Sequence, residues 1–357
     1  MEGYKMEKIR VGLVGAGSLS HEHTRVYQAM ENVELVAVCD IKEGRAEEYA
    51  KQYGFARWYL DYHEMFAKEK LDAVSVCTWN CAHAEVTIAA LDAGIHVLCE
   101  KPMAMNAQEA RAMQEAAERS NKLLMIGFVR RFMPSVKLLE EYIRAGELGD
   151  IYYITTGCLR RAGNPLGWFA DKEKSGGGPL IDLGVHIIDM SRYLMGKPKP
   201  VSVSCMTYSG IGSRTNIKGM NRYTAADPSP NCNVEDMAVA MIRFDNGAVV
   251  HVETSFSSHL KEPKFWLDVF GSKAGAQTEP ELELYSEKFD YLTDIKPVYE
   301  EDPSKGFSPI FEAEVRHFVD CVANGTACIN PAEDGVVLMQ ILDAAYESAR
   351  TGKEVAI

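Results

Sequence analysis

The chain lacks a long apolar run. No window among its 357 residues approaches the roughly 18 apolar positions of a membrane-spanning helix. The start, MEGYKMEKIRVGLVGAG, shows neither the basic segment nor the apolar core of a secretory leader. A cytoplasmic location and no membrane partner are therefore expected. The chain also lacks a basic excess: 38 Lys and Arg stand against 51 Asp and Glu, a formal net charge of −13. Duplex recognition needs a basic footprint, so no nucleic acid partner is expected. There is no CxxC pair. The nine cysteines are odd in number, several lie inside apolar runs (Cys39, Cys77, Cys99), and Cys77 and Cys81 have no second pair at zinc-site spacing. Reduced thiols and no metal are expected. No internal repeat or low-complexity tract is present. What remains, 46% hydrophobic and 25% charged residues, is ordinary for a globular protein, at a length that suits two domains.

Up to about residue 126 short apolar runs (KIRVGLV, VELVAVCD, LDAVSVCT, IHVLCE, KLLMIGF) alternate with helical patterns such as AEVTIAALDAG and NAQEARAMQEAAERS. Runs apolar on both faces joined by helices predict βαβ units and a doubly wound parallel sheet. After residue 150 longer strands follow (YYITTGCL, PVSVSCMTY, VEDMAVAMIRF, AVVHVETSF, KFWLDVFG), several alternating and separated by turns such as Asp245-Asn246-Gly247. They predict a large, mostly antiparallel open sheet. A helix over 179–195 is inserted among these strands, and a polar loop over 209–233. Helices over 309–323 and 333–351 close the chain. The division is thus an α/β domain over 1–126 and a second, α+β domain over 127–357.

VGLVGAGSLS places Gly15 and Gly17 at a strand-to-helix turn. Glycine lets the backbone turn tightly and approach a pyrophosphate, and the helix start offers free N–H groups to it. Ser18 and Leu19 belong to that turn, and Ser20 stands where a third glycine is usual. Asp40 closes the second strand at the spacing where an acid accepts from a ribose 2′-hydroxyl. A carboxylate there repels a 2′-phosphate, so NAD is favoured over NADP; Lys42 and Arg45 weaken that preference. Lys101, in IHVLCEKP, falls just past the end of a parallel strand, where ligands bind in such sheets. The stretch SGGGPLIDLGVHIIDM carries Asp182, His186 and Asp189 at i, i+4 and i+7 in an otherwise apolar helix. Such a stripe is either a solvated face or a reacting one. Three glycines before it would let the helix start close to cofactor and substrate.

GLVGAG, Asp40, CTWNCAHAE, the EKP at 100–102 and GGGPLIDLGVHIID together resemble the glucose-fructose oxidoreductase/inositol dehydrogenase (Gfo/Idh/MocA) family over nearly the whole chain. The resemblance implies a Rossmann domain followed by an α/β domain whose open sheet supports homodimers or homotetramers. It implies Lys101, Asp182 and His186 as catalytic residues and Pro102 as a cis-proline. It implies Asn80 and His83 lining the nicotinamide ribose, although Trp79 replaces the usual proline, and Thr78, Glu100 and Lys101 among the cofactor-binding residues. An NAD-dependent transfer of hydride from a secondary alcohol of a sugar, polyol or cyclitol follows. In that reaction histidine suits the base, and a lysine ammonium stabilises alkoxide charge. Two alternatives stay open: redox-neutral elimination or glycosidic cleavage through transient oxidation, and a non-catalytic dinucleotide sensor. For substrate, Arg160, Arg161, Asn164 and Trp168 in LRRAGNPLGWF are of types that hold sugar hydroxyls or a carboxylate; a basic surface turn reads equally well. Arg130-Arg131 is read as structural and interdomain, Asp236 as a strand residue facing the cleft. His21 and His23 are placed on the first helix near the cofactor, and Asp189 with Arg192 in a helix ion pair.

Overall fold

The computed structural model describes residues 8–212, 214, 224–225, 231–299 and 306–357; most of the expected loop over 209–233 lies outside them. In chain order the elements are β1 (Ile9–Val14), α1 (Ser20–Gln28), β2 (Val33–Cys39), α2 (Arg45–Tyr53), β3 (Arg57–Tyr59), α3 (Tyr62–Lys68), β4 (Ala73–Val76), α4 (Asn80–Asp92), β5 (His96–Cys99), α5 (Ala107–Ser120) and β6 (Leu124–Ile126). Then follow α6 (Pro134–Arg144), β7 (Ile151–Leu159), the single turn α7 (Lys172–Ser175), a π-turn (Leu180–Gly184) running into α8 (Val185–Leu194), and β8 (Pro200–Tyr208). The remainder is β9 (Met237–Phe244), β10 (Val249–Ser255), β11 (Lys264–Gly271), β12 (Gly275–Gln277), β13 (Glu283–Lys288), β14 (Tyr291–Ile295), α9 (Ser308–Asn324), α10 (Ala332–Thr351) and β15 (Val355–Ala356).

The chain forms two compact units, 8–129 with 306–336, and 130–299 with 337–357. A single cut at residue 126 does not anticipate the return of 306–336 to the first unit. That unit holds a six-stranded sheet in the order β3-β2-β1-β4-β5-β6, every neighbouring pair parallel. Its central strands are sealed on both faces, as β4 shows along its whole length, which is why they read as continuous apolar runs. Local signals set the helix ends. Asp61 and Asn106 accept from backbone N–H groups in the first turns of α3 and α5, while Gly54 closes α2 in the left-handed region. Strand order reverses between β1 and β4, and ligands of such sheets lie beyond the strands' carboxyl ends at that point.

The second unit holds a nine-stranded sheet, β14-β13-β12-β11-β7-β10-β9-β8-β15. All neighbours are antiparallel except β10 with β7. Alternation sorts its faces: Ala238, Ala240 and Ile242 are buried while Met241 is exposed. The π-turn and α8 pack on β7 and β10.

Candidate functional site

Gly15 follows β1 with φ +93°, and a Cβ there would stand 2.5 Å from the Cys77 carbonyl oxygen. The turn itself requires that glycine. Gly17 differs: a Cβ there would meet nothing within 4 Å. The protein leaves this space open beside the start of α1, as close approach of a pyrophosphate requires. Ser18 and Leu19 form the turn into α1, and the Ser20 hydroxyl donates to the Gly17 carbonyl at 2.6 Å. The serine in the third glycine's place thus ties the turn to its own helix. Asp40 accepts from the Ala16 N–H at 2.9 Å and the Lys42 N–H at 2.8 Å. Its carboxylate is fixed beside the glycine turn, with acceptor capacity left for a hydroxyl. The Arg45 guanidinium lies 3.8 Å from it, the weakening neighbour anticipated from the sequence. These residues fit a dinucleotide.

Further along the same edge, Lys101 and Pro102 are joined by a cis peptide bond, as the resemblance implied. His83, buried in the first turn of α4, faces two main-chain carbonyls, Pro102 at 2.7 Å and Thr78 at 3.3 Å. It therefore fastens the Lys101–Pro102 loop to the α4 start, and burial pushes its pKa below the ordinary 6.5. Asn80 is the first residue of α4 and is buried. Glu100, also buried, accepts from the Lys101 backbone N–H at 3.1 Å and pairs with His23 Nε2 at 3.0 Å. Gly127 leaves room for that carboxylate, which a Cβ would approach to 3.1 Å. Behind it the chain of bonds continues from His23 Nδ1 to Ser75 Oγ and on to the Tyr27 hydroxyl. His21 points elsewhere, to the Tyr53 hydroxyl at 2.6 Å. The two histidines do lie on the first helix, but only His23 reaches the Lys101 segment.

In the second unit the helix expected over 179–195 opens as a π-turn that carries Asp182, with His186 and Asp189 in the α-helix that follows. Asp182 is 9% exposed, and His186 is the half-exposed side chain on the following turn. Asp189 turns inward. Asp189, expected in a helix ion pair with Arg192, is held by Arg131, which reaches both its oxygens at 2.9 and 2.5 Å. Arg192 donates to the carbonyls of Pro198 and Lys197. Arg131 is thus structural as read, within this unit. Arg130 stacks over Phe265.

The glycines before the turn also leave room for neighbouring groups of this unit. A Cβ on Gly177 would stand 2.0 Å from the Tyr346 hydroxyl, and one on Gly178 2.2 Å from the Glu235 carbonyl oxygen. They let Glu235 reach the turn, where its carboxylate accepts from the Gly178 N–H, the Leu180 N–H and the Tyr346 hydroxyl at 2.9, 3.1 and 3.0 Å. This buried cap, which sets the π-turn and with it Asp182, was missed in the sequence. The signal available was Glu235-Asp236 at the mouth of an otherwise apolar strand. Asp236 accepts from the N–H groups of Gly210 and Ile211, holding the end of β8's loop.

Of the substrate candidates, Asn164 is fully buried, accepts from the Leu166 N–H at 2.8 Å, and keeps its Nδ2 without a hydrogen-bond partner among the described residues. Leu166 has φ +56°, a conformation that costs a non-glycine residue energy and gathers at functional segments. Arg160 turns back to the Gly163 carbonyl and Arg161 to the Lys261 carbonyl. Trp168 stacks on Phe169 at 3.8 Å. The structure therefore separates Asn164, with an unused donor, from two arginines whose guanidinium groups serve loop carbonyls.

Residues 9–128 match the oxidoreductase family model described as an NAD-binding Rossmann fold, and residues 140–357 its C-terminal alpha/beta domain. D-glucoside 3-dehydrogenase of Escherichia coli is 36% identical over 98% of this chain and 97% of its own. The NAD-dependent scyllo-inositol 2-dehydrogenase of Bacillus subtilis is 29% identical over 98% and 96%. A levoglucosan dehydrogenase solved in complex with NADH superposes with a TM-score of 0.85 at 26% identity, covering 98% of this chain and 99% of that one. With the glycine turn, Asp40 and the Rossmann strand order already in place, the chain belongs to the Gfo/Idh/MocA family of NAD-binding oxidoreductases.

Proposed function

We propose that this protein is an NAD-dependent dehydrogenase acting on a secondary alcohol of a sugar, polyol or cyclitol. Open space at Gly17 beside a pinned Asp40 is the observation that carries the reading. It accounts for a glycine that packing does not require and for an acid held beside it with acceptor capacity to spare. Gly15, Gly17, Ser18, Leu19 and Asp40 hold the dinucleotide's pyrophosphate and ribose, with Thr78, Asn80, Glu100 and Lys101 toward its nicotinamide end. His83 holds the Lys101 loop. The bound nicotinamide supplies the hydride acceptor.

His186 takes the hydroxyl proton, a role suited to a half-exposed imidazole. The Lys101 ammonium stabilises the charge developing on that oxygen. Asp182 binds a substrate hydroxyl and balances the two cationic groups. Asn164 offers its free Nδ2–H to a sugar oxygen, since a buried donor left unpaired is costly until a ligand satisfies it. Nine cysteines, none of them in a disulfide, suit a reducing cytoplasm. The acidic charge leaves no basic footprint for nucleic acid, and no helix among the described residues is long and apolar enough to cross a membrane.

The test is NADH formation across a panel of glycosides, aldoses, inositols and sugar acids, with NAD and NADP in parallel. Turnover of one compound with net cofactor reduction is expected; silence across the panel with NAD bound would move the reading to redox-neutral chemistry or a sensor. Lys101→Ala and His186→Ala are each expected to lower kcat by about 100-fold or more with NAD affinity largely kept. Near-normal kcat in either variant removes that residue's role. Asp40→Ala is expected to narrow the preference for NAD over NADP, and an unchanged ratio of kcat/KM values would remove Asp40 from cofactor choice.

A further inference from the structure

Two cysteines and a histidine meet at the end of α9, away from the nucleotide turn. His317 and Cys321 lie one helical turn apart on the same face, with Cys321 Sγ 3.4 Å from His317 Nε2. Beyond the helix the chain turns back at Gly325, φ +69°, and brings Cys328 to the same point. The Nε2, Sγ and Sγ atoms lie within 4.8 Å of one another. The two thiols are hydrogen-bonded to each other, which together with burial raises the Cys321 pKa above its ordinary value.

The loop is already fastened by groups that are not ligands. The Asp320 carboxylate accepts from Asn324 Nδ2 and from the Thr326 hydroxyl. The Ile329 N–H donates to His317 Nε2 at 3.0 Å, so that nitrogen carries a lone pair and the ring proton sits on Nδ1. This is the tautomer a metal ion requires.

We propose that His317, Cys321 and Cys328 form a binding site for one Zn2+ ion. Zinc bonds of about 2.0–2.1 Å to nitrogen and 2.3 Å to sulfur set tetrahedral ligand edges of about 3.5–3.8 Å. The 3.4 Å edge between Cys321 and His317 is already of that size. Binding releases both thiol protons to solvent and directs the Ile329 N–H from Nε2 toward a thiolate sulfur. One nitrogen and two sulfur donors suit zinc over the harder magnesium and calcium ions. His317 and Cys328 are half-buried, not sealed, so ions can enter and water completes the fourth position. The ion would lock the path from α9 to Asn330, whose carbonyl accepts from the Ile126 N–H at the edge strand β6.

The full-length protein, chelator-stripped under reducing conditions, is titrated with Zn2+ against a chromogenic competitor. One equivalent bound with Kd below about 1 µM is expected. Cys328→Ser, a change in a half-buried loop that the fold should tolerate, is expected to weaken binding by about 100-fold, and Cys321→Ser likewise. Loading with Co2+ should give a thiolate charge-transfer band and tetrahedral d–d bands that both variants lose. Replacing the exposed Cys81 and Cys232 by serine together should leave binding unchanged. Zn2+ should raise the Tm of the wild type and not of Cys328→Ser. Wild-type binding weaker than about 10 µM overturns the proposal. So does stoichiometric binding that survives both cysteine variants, or that disappears with Cys81 and Cys232.

Discussion

The Asp189 carboxylate and the Arg131 guanidinium are both nearly sealed from water, at 4% and 1% exposure. Arg131 also lies over the Tyr193 ring. Truncating one member of such a pair leaves the other charge buried alone, a cost of about 3–5 kcal/mol. Asp189→Ala is therefore expected to lower the unfolding free energy by that amount in urea denaturation, and Arg131→Ala comparably. An Asp189→Ala variant as stable as the wild type would reject the pair. The sequence shows Asp189 as a polar interruption, yet helical spacing can nominate only local partners. Arg131 lies 58 residues away, beyond the reach of any periodicity. Gly15 and Asp40 were legible because a glycine turn after one strand and an acid closing the next keep a fixed spacing in sequence, and the cis-proline at 102 through the family resemblance. Glu235 was not, because the three groups it satisfies come from a glycine run and from the last helix.

At the scale of elements, five of the six parallel strands read correctly because burial on both faces writes continuous apolar runs; the sixth, β3, is a three-residue edge strand with little burial and left no such mark. The π-turn was not legible either, since it follows from a carboxylate arriving from another strand and leaves no periodic mark. His96 opens β5, and its Nδ1 accepts from the Leu123 N–H at 2.9 Å just ahead of β6. Burial, with Lys122 nearby, lowers its pKa below 6.5. Folding thus favours the neutral ring, and the unfolded chain binds the extra proton. The contribution is fully present above the unfolded value and is lost as pH falls through the lowered one. His83 and His21 are shifted in the same direction. Stability should accordingly fall as pH drops below about 6.5, the ordinary imidazole value, and His96→Asn, which keeps an acceptor but cannot titrate, should fall less steeply. Parallel losses in the two proteins, followed by thermal melting, would show that His96 carries none of the dependence.

For the whole molecule, the alternation that exposes Met241 also exposes Met206 and Tyr208 on β8 and Phe270 on β11. An apolar sheet face of this kind marks an interaction surface. A homodimer or homotetramer through this sheet is the assembly we propose. Light scattering should report a species of two or four chains. Met206→Asp with Met241→Asp should shift it toward the monomer, with NAD affinity retained. A wild-type monomer at micromolar concentration, or an assembly indifferent to both charges, would reject this surface.

The return of 306–336 has a bearing on how the molecule is made. Phe311 of α9 packs beside the His23 ring, and Glu314 comes within 4.8 Å of the His23–Glu100 pair. Ser308 donates to Glu22 on α1. Until that late segment leaves the ribosome, the nascent Rossmann unit stands with this flank of its first helix uncovered, although its six strands emerged long before. A chain released early therefore yields a half-clad intermediate, and only a nearly complete one can close around the segment that carries Lys101.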